Sequence, residues 1–335
     1  MLSIYANGAQ IVQVAWPHGE TVPITHDTPL TYEDLGATTT AFSTVISAVR
    51  IQRQADIWIS IDGNPATDIL VRTGNYFGLA WTRSWSLISQ TADDEGKVDL
   101  WSIVPRTGSS HRLTSDPYVE ESPVASPDGK YLVYGSKRND GTVHIWRLDQ
   151  DSANPVQLTS GPAHDQFPDI TSDSKEVYFS SSRSGHDAIW KVSIKGSING
   201  GEPELFKDWA LKPSISPDGK KIACLYSETP GGPFSYSLLD IATRQKIASF
   251  ASIPAETNVR WSNDGKDLLY ILDRNGVSNV WAQPADGGNP QQRTHYTEGR
   301  IFALAPAPHG SPYGQALALI RGNNRSGLVM MQLER

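Results

Sequence analysis

The chain has 335 residues, a formal net charge of −7 and one cysteine, which excludes an internal disulfide. The acidic balance and the lack of a basic cluster argue against a nucleic-acid partner, because phosphate recognition needs a surface rich in lysine and arginine. No apolar run of about 18 residues and no signal-peptide core are found, so we expect this chain neither to span a membrane nor to direct its own export.

The first predicted elements are two short strands within residues 10–25, QIVQVAWPHGETVPIT, which have the pattern of an outer-strand pair with no inner strand before them. The chain then repeats a unit of about 45 residues, marked by a recurring turn. The turn begins SPDGK at Ser126 and Ser216, SDSK at Ser172, SNDGK at Ser262 and APHG at Ala307. Asp128, Asp173, Asp218 and Asp264 are expected to cap their turns, and Gly129, Gly219 and Gly265 are expected at positive φ.

A second marker has the same period, an aromatic residue inside a β-rich run. In chain order the marker residues are Trp58, Trp101, Trp146, Trp190, Tyr236 and Trp281. Each unit contains about four apolar runs separated by Asp-Gly, Asn-Gly or Gly-Gly turn signals. Four strands per repeat predict an all-β fold, a β-propeller of four-stranded antiparallel blades.

Candidate innermost strands set the blade number. They are residues 34–38, 78–82, 122–126, 167–171, 212–216, 258–262 and 303–307. Seven blades are therefore predicted, with six or eight as alternatives because the first period, TTTAFSTVISAVR, has lost its turn signature. The last period has three strands, so residues 10–25 are predicted to complete the last blade and close the ring. Residues 1–335 would form one domain, expected to be a monomer.

The residues just ahead of each inner strand should crowd one mouth of the central channel. Six acids fall there: Glu33, Asp34, Glu120, Glu121, Asp165 and Glu256. Converging carboxylates repel one another, and a hard divalent cation such as calcium would relieve that repulsion. They are therefore candidate metal ligands. The open alternative is that each acid is a solvated loop residue or accepts hydrogen bonds within its own turn.

Other residues near this mouth are candidates for binding or catalysis. The candidate ligand-binding residues are Tyr32, Tyr76, Trp209, Arg260 and Arg300. His164 and Asp165 are candidate catalytic residues if the protein is a hydrolase, because either could move a proton at neutral pH. Asp169 and Arg260 occupy the same inner-strand position two blades apart, and they could face the channel or form salt links between blades.

A family resemblance joins these observations. The segment LTSDPYVEESPVASPDGKYLVYGSKRNDGTVHIWRLD resembles the propeller repeats of the periplasmic protein TolB and of related WD-like repeat proteins. The later segment SNVWAQPADGGNPQQRTHYTEGRIFALAP looks closer to the C-terminal propellers of bacterial receptor-like serine/threonine kinases and winged-helix regulators. The resemblance implies a periplasmic or extracytoplasmic location, although without a signal peptide this chain would stay in the cytoplasm when expressed alone.

Two functions follow from this reading. The first is a sensor or scaffold that binds a protein, a peptide or a small ligand at the acidic mouth, as the resemblance implies. The second is a calcium-dependent hydrolase of esters, lactones or phosphotriesters that uses the same carboxylates. No kinase glycine-rich loop, winged helix or G-x-S-x-G motif is present to add another activity.

Overall fold

A computed structural model describes residues 2–6, 11–15, 20–23, 31–39, 43–74, 76–92, 98–138, 141–149, 154–196 and 202–334. These residues form 28 strands and one 3-10 helix, Pro65–Thr67. Within them, no helix has the length and hydrophobicity needed to cross a membrane. The predicted all-β class is confirmed.

The first six strands belong to two sheets. They are β1 (Leu2–Ala6), β2 (Ile11–Ala15), β3 (Glu20–Pro23), β4 (Thr31–Thr39), β5 (Ser43–Ser60) and β6 (Ile69–Arg72). Strands β1 to β3 pair only with one another in a separate three-stranded sheet. Strands β4 and β6 lie along the same edge of β5, with β4 beside residues 44–51 and β6 beside residues 57–59.

Five antiparallel sheets of four strands follow in chain order and are the first five blades. In each blade the earliest strand is innermost, and the next three follow outward. Their strands are β7 (Tyr76–Trp81), β8 (Leu87–Ala92), β9 (Val98–Ile103), β10 (Ser110–Arg112); β11 (Glu120–Ala125), β12 (Tyr131–Ser136), β13 (His144–Asp149), β14 (Pro155–Gln157); β15 (Asp165–Ile170), β16 (Glu176–Ser181), β17 (Ala188–Ser193), β18 (Glu204–Asp208); β19 (Ala210–Ile215), β20 (Lys221–Tyr226), β21 (Ser235–Asp240), β22 (Lys246–Phe250); β23 (Arg260–Trp261), β24 (Asp267–Arg274), β25 (Val277–Pro284) and β26 (Gln291–Gln292).

The sixth blade combines strands from distant parts of the chain. Its inner strands are β27 (Arg300–Pro306) and β28 (Leu317–Glu334), and its outer strands are the end of β5 and β6. Strands β5 and β28 pair over their full 18-residue length, so their far halves continue beyond the blade, where β4 joins them.

These pairings correct two sequence predictions. The described residues form six blades, because residues 34–38, predicted as an inner strand, lie in β4 beside the far half of β5. The described strands of residues 10–25 do not supply the outer strands of the last blade. These strands, β2 and β3, pair with β1 and with each other, and the outer position is taken by β5 and β6 instead.

Apolar clusters lie between every neighbouring pair of the six blades, the sixth and first included. Between the sixth and first blades, the Trp81 indole N–H also donates to the carbonyl oxygen of Ala305 at 3.0 Å. Cys224 is fully buried in the third and fourth blades' cluster, in agreement with its apolar strand sequence. Packing between blades therefore forms the hydrophobic core.

The seam between the fifth and sixth blades also holds a polar contact. The Tyr296 hydroxyl donates to Asp68 Oδ2 at 2.5 Å, and Arg321 Nη1 lies 3.6 Å from the same oxygen. The Arg321 guanidinium sits 3.8 Å from the centre of the Tyr296 ring. Burial raises the pKa of Tyr296, which keeps its hydroxyl protonated as a donor. We call Asp68, Tyr296 and Arg321 the seam triad. It connects the residue directly before β6, the fifth blade and β28.

The repeated turn has the geometry predicted for it. In the second blade, Ser126 Oγ donates to Asp128 Oδ1 at 2.6 Å, and that carboxylate accepts from the Lys130 N–H at 3.1 Å. The same bonds recur at Ser216 with Asp218 and at Ser262 with Asp264. Gly129, Gly219 and Gly265 have φ of 79°, 70° and 69°. The repeated acids are therefore turn residues, as predicted.

Candidate functional site

A cavity of about 460 Å³ lies between the inner strands of the first, second, fifth and sixth blades. Its walls combine aromatic and aliphatic side chains with amides and charged groups. Among them are Phe77, Asn258, Arg260, Asp273, Arg300 and Phe302. Ligand sites commonly enclose about 300–1,000 Å³. We call this space the channel cavity; it is large enough for a small ligand or the end of a peptide.

A repeated β-bulge shapes the inner strands around the channel. The pairing register shifts at the third residue of β11, β15 and β19, where Ser122, Phe167 and Lys212 have φ of 52°, 52° and 55°. Each of these residues precedes a proline, which cannot donate to the sheet ladder. A non-glycine residue at such φ costs about 1 kcal/mol or more, and backbone strain of this kind tends to cluster at functional sites.

Lys212 fixes the segment that forms one side of the channel cavity. Its ammonium donates to the carbonyl oxygens of Ala255, Glu256 and Thr257 at 3.2–3.3 Å. Burial, the largest effect, lowers the pKa of Lys212, while the negative charge of Glu256 raises it. The Tyr236 hydroxyl donates to the Thr257 carbonyl at 2.6 Å. These bonds hold residues 255–257 in place at the mouth.

The charged groups of the channel cavity are unevenly paired. Arg300 Nε lies 3.6 Å from Asp273 Oδ2, and both side chains are nearly half exposed. Asp169 is tied to the fourth blade, because its Oδ2 accepts from the Ile215 N–H at 2.7 Å. Asp169 therefore joins the third and fourth blades through a backbone hydrogen bond and not through the salt link that the sequence suggested, whereas Arg260 lines the cavity.

The six predicted metal ligands do not converge in the described part of the chain. Glu120 and Asp165 have no exposed surface and lie between blades, Glu121 is half-buried, and Glu256 is exposed. The side chains of Glu33 and Asp34 lie outside the described residues. Among the residues that are described, no group of three or more His, Cys, Asp or Glu side chains is placed to hold a metal ion.

Buried Glu120 and Asp165 have partners within the protein. Glu120 Oε2 accepts from the Thr114 hydroxyl at 3.2 Å. Asp165 Oδ2 accepts from Arg183 Nη2 at 2.6 Å and lies 3.6 Å from Nδ1 of the buried His144. A buried carboxylate needs such partners. The geometry suits a structural role for both acids.

The remaining predicted residues are dispersed. His164 is exposed, and its carbonyl accepts from the Ser182 N–H at 3.4 Å. Tyr76 is buried, with its hydroxyl donating to the Thr73 carbonyl at 3.3 Å, so it does not face the cavity as a ligand contact. The side chain of Tyr32 lies outside the described residues.

Trp209 stands at the same end of the channel but on the third and fourth blades. It is half-buried with φ of 55°, and its ring stacks on that of His186 at 4.2 Å. His186 Nε2 lies 2.8 Å from Asp208 Oδ1. Of the five predicted ligand-binding residues, the structure brings Arg260 and Arg300 together in the channel cavity.

Sequence reasoning missed Asp273 and did not select Phe302. Asp273 reaches the cavity because β24 and β25 have eight residues each, longer than the six of most blade strands. The Asn-Gly turn after it signals a hairpin, but nothing in the periodic pattern tells how far that hairpin extends. Phe302 precedes Ala303 at the bulge of β27, and its place in the repeat could have identified it.

Six four-stranded antiparallel blades with a cavity between their inner strands define a β-propeller domain. A family model described as the TolB beta propeller domain matches residues 32–245, more than half of the chain. The chain therefore belongs to the TolB beta propeller domain family.

Curated relatives match over shorter stretches. The Tol-Pal system protein TolB of Alcanivorax borkumensis is 40% identical over 68 residues, 20% of this chain and 15% of that protein. Dipeptidyl-peptidase 5 of Aspergillus oryzae is 27% identical over 117 residues, 33% of this chain and 16% of the relative. The chain thus spans about one sixth of either relative.

Among solved structures, TolB from Acinetobacter baumannii superimposes with a TM-score of 0.57 at 15% identity, covering 97% of this chain and 80% of that one. At this identity the likeness supports the fold alone. These neighbours are TolB proteins and a peptidase, so the expected closer similarity to receptor-like kinases and winged-helix regulators is not supported by them.

Proposed function

We propose that this protein is a binding propeller that holds a peptide or an exposed segment of a partner protein at the mouth of the channel cavity. The observation that carries the proposal is the cavity itself, in which the aromatic rings of Phe77 and Phe302 stand beside the charged groups of Arg260, Arg300 and Asp273. Specific ligand sites combine apolar walls with a few polar groups in this way. Membership in the TolB family is compatible with a binding scaffold.

The surface around the mouth supports the same proposal. Tyr118 and Val119 precede the inner strand of the second blade and are 37% and 47% exposed. Trp209 precedes the inner strand of the fourth blade, so all three lie at the same end of the channel as residues 255–257. Tyr118 and Val119 are exposed and Trp209 is half-buried. Large apolar and aromatic side chains that remain accessible near one opening are typical of protein interaction sites.

This function can be tested by measuring how a peptide library binds the wild-type protein and two variants that each introduce a tryptophan. Asn258 is exposed in the cavity wall, so Asn258→Trp should fill the mouth with little effect on the fold. Asp286 is exposed in the turn after β25, at the opposite end of that strand, and Asp286→Trp is the matched control. We expect immobilised random hexapeptides to bind wild-type protein and Asp286→Trp equally, and Asn258→Trp at least about tenfold more weakly. Equal binding to all three proteins, or no binding at all, would contradict the proposal.

The hydrolase alternative rests on the short similarity to dipeptidyl-peptidase 5. A calcium ion at the mouth, with His164 and Asp165 as catalytic groups, stays a prediction. The burial of Asp165 and its ion pair with Arg183 favour a structural role for that carboxylate. A periplasmic location and a monomeric state likewise stay predictions.

A further inference from the structure

Arg260 has unused hydrogen-bonding capacity in the wall of the channel cavity. A guanidinium carries five N–H donors. Arg260 Nη1 donates to the carbonyl oxygen of Val259 at 3.3 Å, and in the described part of the chain no carboxylate oxygen lies within 4.0 Å of its guanidinium nitrogens. The half-buried side chain therefore presents a positive charge and free donors to the cavity.

Three acids lie near Arg260, and each is engaged by another group. Glu256 lines the same cavity, and its negative charge acts on Lys212, where it raises the pKa against the larger lowering effect of burial. Asp273 accepts from the Gly276 N–H at 3.0 Å and from the Ser278 hydroxyl at 3.1 Å, and Arg300 approaches it at 3.6 Å. Asp169 accepts from the N–H groups of Ile170 and Ile215 at 3.0 and 2.7 Å. Asp273 and Asp169 are therefore already supplied with donors. Burial raises the pKa of Asp169 and the positive charge of Arg260 opposes that rise, but among the described residues no hydrogen bond joins the two side chains, so the Arg260 donors remain available for a ligand.

The surroundings of Arg260 define what kind of anion would fit. Phe77, Ile271 and Phe302 contribute apolar surface to the same cavity. A planar guanidinium matches a carboxylate through two parallel hydrogen bonds. Apolar walls favour an anion attached to a hydrophobic body over a small inorganic ion.

We propose that the channel cavity binds a carboxylate carried on an apolar peptide segment, with Arg260 as its principal hydrogen-bonding partner and Arg300 adding positive charge near the mouth. This inference rests on the proposed peptide-binding function and names its ligand chemistry. The carboxylate can belong to a peptide C-terminus or to an internal Asp or Glu side chain.

Three sets of immobilised random hexapeptides separate these sources. The first has free C-termini and no Asp or Glu, the second has amidated C-termini with Asp or Glu, and the third has amidated C-termini with neither. The proteins are the wild type, Arg260→Gln, Arg260→Lys and Arg106→Gln, which removes an exposed arginine outside the cavity. Thermal melts establish that each variant is folded.

We expect wild type and Arg106→Gln to bind carboxylate-bearing peptides at least about tenfold more tightly than neutral ones, since bonds to charged groups are the strong ones. Arg260→Gln should reduce carboxylate binding to the neutral level, and Arg260→Lys should retain part of it. Preference for the first set identifies C-termini, and preference for the second identifies side chains.

Two results would overturn the inference in different ways. If neutral peptides bind wild type as tightly as carboxylates do, and Asn258→Trp still abolishes binding, the peptide-binding function stands and the carboxylate partner of Arg260 is wrong. If no set binds, the function and the inference fail together.

Discussion

Among single residues, Gly63 is a position where both the backbone conformation and the surrounding space disfavour any side chain. Its φ is 77°, and a Cβ there would lie 1.8 Å from the carbonyl oxygen of Arg293. Gly276 has a similar φ of 81°, but a Cβ there would meet nothing within 4 Å. Gly276→Ala should therefore cost only backbone strain, about 1 kcal/mol. Gly63→Ala should cost clearly more, because backbone atoms at the seam between the fifth and sixth blades must also move.

Urea unfolding of the two variants beside wild type measures the difference. Equal losses in the free energy of unfolding would mean that the contact between Gly63 and Arg293 does not constrain the protein in solution.

Glu121 provides a pH-dependent prediction. Burial raises the pKa of Glu121, while the positive charges of Lys137 and His164 lower it less strongly. The folded state thus binds this proton more tightly than the unfolded chain, so ionising Glu121 destabilises the protein as pH rises above the ordinary glutamate value of about 4.3. Glu121→Gln should raise the melting temperature at about pH 7 and change it little below about pH 4.

Melting curves across this pH range, with the exposed Glu202→Gln as a control, test the prediction. A lower melting temperature for Glu121→Gln at neutral pH would show instead that its negative charge has a stabilising partner.

At the scale of elements, the sixth blade depends on β5 and β6. Deleting residues 1–30 removes β1 to β3, which form a separate sheet, and leaves the blade's four strands intact. Deleting residues 1–72 also removes β5, β6 and Asp68, which exposes the edge of β28 and breaks the seam triad. We expect cooperative unfolding to persist after the first deletion and to be lost, with aggregation, after the second.

Calorimetry and light scattering of both deletion variants measure the cooperativity of unfolding and the aggregation, and so test this prediction. A cooperative, soluble product of the longer deletion would mean that the remaining strands fold without this seam.

How far the sequence predicted these elements depends on the range of the interaction that forms them. The hairpin at Ser216 and Asp218 was predictable because its bonds join residues within five positions. The pairing of β5 with β28 was not predictable, because it joins residues 43–60 to residues 317–334 and leaves no signal in the sequence close to either strand. The surroundings of the predicted acids were not predictable for another reason. Adjacent residues such as Glu120 and Glu121 point to opposite faces of a strand, and the sequence does not show which face meets the neighbouring blade.

At the scale of the whole molecule, calcium separates the two functions. An ion that binds only the folded state raises the melting temperature by mass action. If Glu33, Glu120, Glu121 and Glu256 held calcium, millimolar calcium would stabilise wild type and stabilise Glu121→Gln less. The proposed binding propeller needs no metal ion, so on that proposal we expect no shift in melting temperature between chelator and calcium and no turnover of an activated ester or a phosphotriester.

A calcium-dependent rise in the melting temperature together with such turnover would favour the hydrolase over the binding propeller. A rise without turnover would indicate a structural ion.

The mixed origin of the sixth blade has a consequence during protein synthesis. Strands β5 and β6 are translated before the other five blades, whereas β27 and β28, which complete their blade, are translated after those five. Until β27 and β28 are made, the edge of β5 that pairs with β28 is open, and the apolar side chains of Ile57 and Ile59 lack their native packing partners. The nascent chain therefore carries an unfinished sheet while five other blades form, and we expect the segment from residue 43 to residue 72 to be aggregation-prone during that time.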